Sequence, residues 1–187
     1  MDIPWGSDIA NRFITNVGLV TSNGINGHNI MACEWTHHLS YKPALVGISL
    51  HPRHASYENI KSTNEFGINI TSVHQSILSS IAGKDSGKKV DKIKIAQELE
   101  FKFSPAKKIQ VLMVQGAAVQ LECKLYQQIS LGDHTLFVGE VIEGSFIVEE
   151  KPLAYHAGKY WDMTSTLEKP SNEVREKIKL LFEKYKK

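Results

Sequence analysis

The sequence is poor in cysteine and in long apolar runs, and each shortage excludes a class of protein. Its 187 residues include two cysteines, Cys33 and Cys123, which are too few for a disulfide framework or a cysteine-rich zinc site. No apolar run approaches the roughly 18 residues of a membrane-spanning helix. Residues 1–6 show no basic region followed by an apolar stretch, so no signal peptide is recognisable. We therefore expect a cytoplasmic protein without a membrane partner.

Arginine is also scarce, and the charge pattern argues against a nucleic-acid partner. Only Arg12, Arg53 and Arg175 can supply a planar, bidentate contact to a phosphate or a carboxylate. The net charge is +2, and the basic excess lies in residues 171–187 rather than over the body of the chain. Aromatic and basic residues do not alternate along the strand-like segments, as they would in a protein that binds single strands. A β-barrel that binds nucleic acid through its lysine-rich tail is therefore the least favoured class.

Signature motifs of several enzyme classes are missing. The sequence contains no Gly-x-Gly-x-x-Gly dinucleotide fingerprint, no Walker phosphate loop and no Gly-x-Ser-x-Gly nucleophile elbow. His37 and His38 are adjacent, so on a strand they would point to opposite faces. His51 and His54 have no carboxylate or cysteine at ligand spacing. We expect no metal site.

Strand-like segments dominate the chain up to about residue 150. The clearest lies at 117–127, where Val119, Leu121, Cys123 and Leu125 alternate with polar residues. Further strands are predicted at 13–21, 28–33, 44–50, 66–70, 135–142 and 146–148. With 42% hydrophobic residues the chain can bury a substantial core. Short strands separated by turn residues are typical of an antiparallel sheet or a small barrel.

Helices are fewer. They are predicted at 55–62, 73–82, 90–99 and 172–185. The last one carries an apolar stripe of Val174, Ile178, Leu181 and Tyr185 behind a natural N-cap, Ser171. We expect this stripe to pack on the domain or on a partner subunit.

The segment from Pro52 to Ile60 is the first candidate site. A strand ends there, an arginine follows, and Ser56 lies where a helix begins. The N–H groups of a helix N-terminus, together with the guanidinium of Arg53, favour a phosphate. The alternative is a surface arginine with Ser56 as an ordinary N-cap.

Three further segments have both a functional and a structural interpretation. Small and apolar residues follow Asn29, so residues 27–35 can present backbone groups to the edge of a flat ring, or form an ordinary strand with a core tryptophan. Asp133 and His134 can form a catalytic pair, or simply a turn. The loop 83–92 can place Lys88 or Lys92 over an anion, or lie solvated at the surface.

Taken jointly, these segments resemble the flavin reductase-like, FMN-binding split-barrel family, and within it the flavoredoxin-like branch. The matching pieces are 20–22 (VTS), 29–35 (NIMACEW), 42–50 (KPALVGISL), 53–60 (RHASYENI), 65–70 (EFGINI), 86–92 (SGKKVDK), 121–123 (LEC), 132–141 (GDHTLFVGEV) and 155–160 (YHAGKY). Their order and spacing carry the resemblance, which covers about residues 10–165.

The resemblance implies a mainly β protein with peripheral helices, built on a six-stranded antiparallel Greek-key split β-barrel. Residues 1–165 would form the FMN-binding domain, and residues 166–187 would form the amphipathic C-terminal helix. A homodimer with FMN near the subunit interface is expected. The implied activity is that of an NAD(P)H-dependent flavin or ferric oxidoreductase with an unidentified electron acceptor. The alternative is a non-enzymatic FMN electron carrier between protein partners.

The resemblance also implies roles for individual residues. Arg53 and Ser56 would hold the FMN phosphate, with His54 nearby. The residues that would border the isoalloxazine ring are Asn29, Met31, Ala32, Cys33 and Trp35. Lys92 and His134 would approach the ring, with His134 as the catalytic residue beside the nicotinamide, and Tyr160 or Trp161 would close the pocket.

Overall fold

The computed structural model describes residues 1–186 and is mainly β with peripheral helices, as predicted. The strands are β1 (Thr15–Asn16), β2 (Gly18–Ser22), β3 (Asn29–Cys33), β4 (Thr36–Ser40), β5 (Leu45–Leu50), β6 (Glu65–Ile70), β7 (Phe103–Pro105), β8 (Leu112–Val114), β9 (Val119–Leu131), β10 (His134–Phe146), β11 (Leu153–His156) and β12 (Lys159–Asp162). The helices are α1 (Ala55–Thr63), α2 (Ser76–Lys84), α3 (Lys92–Glu98) and α4 (Asn172–Lys184). Single turns of 3-10 helix lie at Ala10–Arg12 and Val73–Gln75.

Seven antiparallel strands form the main sheet, in the order β3-β2-β6-β9-β10-β5-β4. Its two edge strands, β3 and β4, are joined only by Glu34 and Trp35. So short a connection requires the sheet to curl until its edges lie side by side. The backbone N–H of Ser49 donates to the carbonyl of Trp35 at 3.0 Å across this junction. The sheet thus has one strand more than the expected six, and the additional short strand that the sequence did not predict is β4.

The inside of the curl is the first hydrophobic core. Val20, Ile48, Phe66 and Phe137 are buried there, together with Cys123 from the alternation predicted along β9. Gly139 is required in this core, because a Cβ on it would overlap the ring of Phe66. The packing of the Phe66 ring on β10 therefore depends on a residue without a side chain.

A second core fixes the position of α2 on the outside of the sheet. Leu78 and Ala82 of α2 pack against Leu19 of β2 and Ile30 of the edge strand β3, and Ile93 of α3 joins them. The predicted helix at 73–82 is observed as a 3-10 turn followed by α2, which extends to Lys84. This packing places the C-terminal end of α2 beside β3, where the candidate site lies.

A small sheet of β1, β11 and β12 completes the wall near α2. Thr15 of β1 pairs with Tyr155 of β11, and Tyr155 pairs with Tyr160 of β12. Of the strand predicted at 146–148, Phe146 is the last residue of β10, and the two residues after it lie outside any strand.

Helix α4 forms as predicted, and the Ser171 hydroxyl accepts from the backbone N–H of Val174 at 3.3 Å. All of its residues are exposed, including the apolar stripe. The packing of that stripe on a partner subunit stays a prediction. No helix within residues 1–186 is long and apolar enough to cross a membrane.

Candidate functional site

A cavity of about 520 Å³ opens beside β3, between the start of α1, the end of α2 and the loop that leads to α3. We call it the cationic cavity. Its charged lining residues are Arg53, Lys84, Asp85, Lys88, Lys89 and Lys92. Within residues 1–186 only one of the five cationic side chains has an ion-pair partner, Lys88, whose Nζ lies 2.6 Å from Oε1 of Glu58. An excess of positive charge in a concave site attracts an anionic ligand.

Asn29 connects this cavity to a buried hydrogen-bond network. Its Nδ2 donates to the Ser56 hydroxyl at 2.9 Å, and the Ser22 hydroxyl donates to the same oxygen at 3.3 Å. Ser56 is fully buried and is the second residue of α1, whose N-cap is His54. The interpretation of Ser56 as an N-cap is therefore wrong. The predicted phosphate ligand Ser56 lies behind Asn29 rather than on the cavity wall.

The loop after α2 approaches β3 so closely that one position must be glycine. A Cβ on Gly87 would overlap the amide oxygen of Asn29. Asn29 cannot move aside freely, because it is buried and bound to Ser56. Lys88 and Lys89, which follow Gly87 in this loop, line the same cavity as Arg53.

His54 contributes a neutral polar group to the cationic cavity. Its burial, and then the charge of the neighbouring Arg53, lower the pKa of the imidazole to about 4. Its Nδ1 is buried and has no hydrogen-bond partner within residues 1–186. An unpaired buried nitrogen is costly for folding.

Lys92 lies at the back of the cavity and is only 5% exposed. Its Nζ donates to the carbonyl of Ala82 at 2.7 Å, in the last turn of α2, where the helix dipole favours a cation. Burial lowers the pKa of Lys92 to about 8, and Asp85 acts in the opposite direction. The side chain is therefore charged at neutral pH and loses its proton more readily than an exposed lysine.

A second cavity of about 350 Å³ adjoins the first, and we call it the tyrosine cavity. The two share Ala32, Gly83 and Lys84 as lining residues. Its other lining residues are Asn16, Val17, Glu34, Ser79, Ser80, Tyr155 and Tyr160. Only Tyr160 among these was predicted as a site residue. Glu34 and Tyr155 lie in segments that carry the family resemblance, whereas the residues from β1, its successor Val17 and α2 lie in no recognised motif.

The predicted catalytic histidine lies outside the walls of both cavities. The Nδ1 of His134 is 2.7 Å from a carboxylate oxygen of Asp133. Its ring centroid is 4.8 Å from that of Trp35 and 5.5 Å from that of His51, and the ring of His51 is 6.0 Å from that of His54. A row of aromatic rings thus leads from the cationic cavity to Trp35, which is 47% exposed.

The structure brings together about half of the predicted site residues. Those that line the cationic cavity are Asn29, Met31, Ala32, Arg53, His54 and Lys92. The thiol of Cys33 instead lies in the first core, where burial raises its pKa to about 11. Trp161 is exposed, and its indole nitrogen donates to the carbonyl of His156 at 3.3 Å. The roles predicted for individual residues stay predictions.

Comparison with known proteins agrees with this architecture. A sequence model of the flavin reductase like domain matches residues 10–164. An uncharacterized protein of Pyrococcus abyssi is 32% identical over 139 residues, which are 72% of this chain and 76% of the relative.

Solved structures of flavin reductases have the same fold. The NADH:FAD oxidoreductase SgcE6 of Streptomyces globisporus superimposes with a TM-score of 0.76 at 19% identity, covering 88% of this chain and 98% of that one. The flavin reductase HpaC, solved in complex with NADP+, gives a TM-score of 0.68 at 26% identity, covering 82% and 93%. The match of the domain model over most of the chain shows that this protein belongs to the flavin reductase like domain family.

Proposed function

We propose that this chain binds FMN and acts as an NAD(P)H-dependent flavin or ferric oxidoreductase. The observation that carries the proposal is the cationic cavity on β3, which continues into a cavity with aromatic walls. One end therefore suits a phosphate and the other suits a planar ring. The cationic cavity alone lies within the range of about 300–1,000 Å³ that is usual for ligand sites. Membership of the flavin reductase like domain family supports the same function.

The residues present fit the phosphate end of FMN. Arg53 offers a planar guanidinium for a bidentate contact, and Lys89 adds a second cation that has no ion-pair partner within the described chain. His54 lines the same cavity. Ser56 contributes indirectly, because its hydroxyl holds Asn29 in place.

The flavin supplies the two-electron chemistry when it is bound, and the protein supplies position and charge. Met31 and Ala32 would border the ring, because both belong to β3 and line the cationic cavity. The ammonium of Lys92 would favour the reduced cofactor, because reduction adds negative charge. Tyr160 would cover the ring from the opposite wall.

His134 is the residue that we propose to contact the nicotinamide. The Asp133 carboxylate accepts from its Nδ1, which fixes the tautomer and leaves Nε2 as an acceptor. The ring of Trp35 packs against it and limits its movement. SgcE6 was solved with fragments of NAD and FAD and HpaC with NADP+, which supports a nicotinamide nucleotide as electron donor. The choice of FMN over FAD remains part of the proposal.

We also infer that the curled seven-stranded sheet is the split barrel expected from the sequence, and that the protein is a homodimer. The exposed apolar stripe of α4 supports the second inference, because such a face is unfavourable in water unless a partner covers it.

The test is the visible spectrum of the purified protein with FMN, before and after anaerobic addition of NADH or NADPH. We expect tight uptake of FMN and loss of its colour with at least one nucleotide. His134→Ala should slow this reduction, whereas His37→Ala should not, because His37 is exposed on β4 and makes no side-chain hydrogen bond within the described residues.

The other possible outcomes of this test each contradict one part of the proposal. A protein that takes up no FMN would contradict the proposal. Uptake of FMN without reduction by either nucleotide would favour the electron carrier. Equal rates for His134→Ala and the wild type would remove His134 from the catalytic residues.

A further inference from the structure

The loop between α2 and α3, residues 85–91, lines the cationic cavity but has few attachments to the rest of the chain. Within residues 1–186, a single hydrogen-bonded ion pair joins it to a part of the chain outside these two helices. In that pair the Nζ of Lys88 donates to Oε1 of Glu58 at 2.6 Å. Gly87 also packs against the amide of Asn29. The polar attachment of the loop to the opposite side of the cavity is therefore one pair of side chains.

Glu58 is a well-fixed partner for this loop. It lies in the first turn of α1, where the helix dipole favours an acid. Its second oxygen, Oε2, accepts from Nδ2 of Asn26 at 3.0 Å. The backbone N–H of Asn26 in turn donates to the buried side chain of Asn59 at 2.9 Å. The hydrogen bonds from Lys88 and Asn26 hold the pKa of Glu58 below its usual range, so the carboxylate is charged at neutral pH.

The pair between Lys88 and Glu58 can open at low cost. The two side chains are 35% and 36% exposed. Ion pairs in contact with water contribute little to stability, because water and salt screen the two charges. A contact of this kind keeps a loop closed for most of the time and still lets it open.

Glu58 can act on a ligand of the cationic cavity only through Lys88. Lys88 lines the cavity, whereas Glu58 does not. An ammonium group has three N–H donors, and Glu58 accepts from one of them. The others remain available to a phosphate, so Lys88 can hold the loop closed and contact a bound anion at the same time.

We propose that Glu58 is a positioning residue of the flavin site, which through Lys88 latches the loop 85–91 over the bound phosphate. Opening of this ion pair then precedes release of the flavin. The inference rests on the proposed function, because the phosphate is that of the flavin. The latch itself is a property of the ligand-free chain and is tested without flavin.

The experiment compares three variants with the wild type. Glu58→Ala removes both contacts of the carboxylate. Glu58→Lys combined with Lys88→Glu reverses the pair and keeps the net charge. Glu143→Ala is the matched control, because it breaks another ion pair between distant segments, 3.6 Å long, and neither Glu143 nor its partner Lys107 lines the cationic cavity.

Two measurements follow the loop and the ligand separately. NMR relaxation of the backbone amides of residues 85–91 reports the mobility of the loop in the ligand-free proteins. Stopped-flow fluorescence reports the dissociation rate of FMN. The reversed pair is used for loop mobility alone, because it places a carboxylate in the wall of the cavity.

In Glu58→Ala we expect the order parameters of the loop to fall below the value of about 0.85 that is typical of rigid backbone. FMN should dissociate about two- to fivefold faster, as for the loss of one exposed ion pair. The reversed pair should restore the order of the loop, and Glu143→Ala should change neither quantity. Charge alone predicts the opposite sign, since removing an acid beside the cavity would retain an anion longer.

Unchanged loop order in Glu58→Ala would overturn the latch, whether or not the protein binds FMN. A more mobile loop with unchanged or slower dissociation of FMN would overturn its role in binding, because Glu58 would then compete with the phosphate for Lys88 or have no effect on it. A wild-type protein that binds no FMN would overturn the proposed function and the role toward flavin, and the mobility of the ligand-free loop would still decide the latch.

Discussion

Lys92 shows how a single residue can be unfavourable for folding and favourable for binding. Its pKa is about 8 in the folded chain, against 10.5 for an ordinary lysine. Between these values the unfolded chain holds more protons than the folded one, so the free energy of unfolding rises with pH in that window. Below about pH 8 the full cost of burying the charge is present, on the order of 3 kcal/mol. An anion in the cavity would compensate for this cost.

We therefore predict that the affinity for FMN falls as the pH rises above about 8. Losing the ammonium group removes a charge-assisted contact worth about 1.5–3 kcal/mol, so the dissociation constant should increase about tenfold between about pH 7 and about pH 9.5. Lys92→Met should bind more weakly at neutral pH and show little dependence on pH. Fluorescence titration across this range measures both effects.

Arg53→Ala is the matched control for this prediction. A guanidinium stays protonated throughout the range, so this variant should bind FMN more weakly at every pH and keep the wild-type slope. An unchanged slope in Lys92→Met would show that Lys92 is not the titrating group.

The site residues that the sequence predicted differ from those that it did not predict in their sequence surroundings. Arg53, His54 and Asn29 lie in short stretches where a strand meets a turn or a helix, and those stretches carry recognisable chemistry. Asn16 and Ser79 occur in unremarkable surroundings. They reach the wall of the tyrosine cavity through the packing of β1 and α2, and a sequence pattern does not contain that information. Cys33 was placed at the ring by resemblance, but its thiol points into the core.

Among the elements, the loop between α2 and α3 is the one whose position decides the site. It closes over the cationic cavity because Gly87 fits against the amide of Asn29. The contact is tight, whereas a Cβ on Gly83, at the end of α2, would only meet the Cβ of Ala32 at 3.5 Å. A Cβ is therefore tolerated on Gly83 but not on Gly87.

We predict that Gly87→Ala lowers both the unfolding temperature and the affinity for FMN, because Asn29 must leave Ser56 or the loop must open. A loss of about 1–3 kcal/mol in stability is expected for overpacking of this kind. Gly83→Ala, in contrast, should stabilise the ligand-free protein by about 0.5–1 kcal/mol, since alanine is the better helix former. Thermal unfolding of the two ligand-free variants measures both changes in stability. Equal changes would contradict this explanation of the loop position.

Strands with clear alternation were predictable, and short strands that form through their pairing alone were not. The pattern of Val119, Leu121 and Cys123 predicted β9, which the structure extends to Leu131. The segment of β4 has two histidines and exposes most of its side chains, so it carries no period-two hydrophobic signal. It becomes a strand because it pairs with β5, the next strand along the chain, in a hairpin. The short strand β11 likewise depends on its pairing with β1, and β12 on its pairing with β11.

At the scale of the whole molecule, the curl of the sheet creates the site. Joining the two edge strands through Glu34 and Trp35 places α1, α2 and the small sheet around the same strand, β3. The spacing of the strand-like segments predicted an antiparallel sheet, but it did not predict the order of the seven strands. Strand order is set by long-range contacts, which local periodicity does not encode.

The C-terminal helix bears on the assembly of the whole molecule. Val174, Ile178 and Leu181 share one face of α4 and are all exposed in the single chain. A stable dimer buries about 800 Å² on each partner, which is more than these side chains can supply. The stripe would therefore form only part of an interface, and its loss should weaken the dimer rather than abolish it.

We predict that Ile178→Lys combined with Leu181→Lys raises the dimer dissociation constant about tenfold or more, because burying each aliphatic side chain contributes about 1.5–3 kcal/mol when burial is complete. Lysine is a good helix former, so α4 itself should persist. Lys179→Ala, at an exposed charged position of the same helix, is the control and should leave association unchanged. Sedimentation equilibrium measures all three proteins. A wild-type protein that is monomeric at every concentration would contradict the homodimer. A dimer that the double variant does not weaken would place the interface elsewhere. Helix α4 would then have no partner, because none of its residues is buried in the single chain.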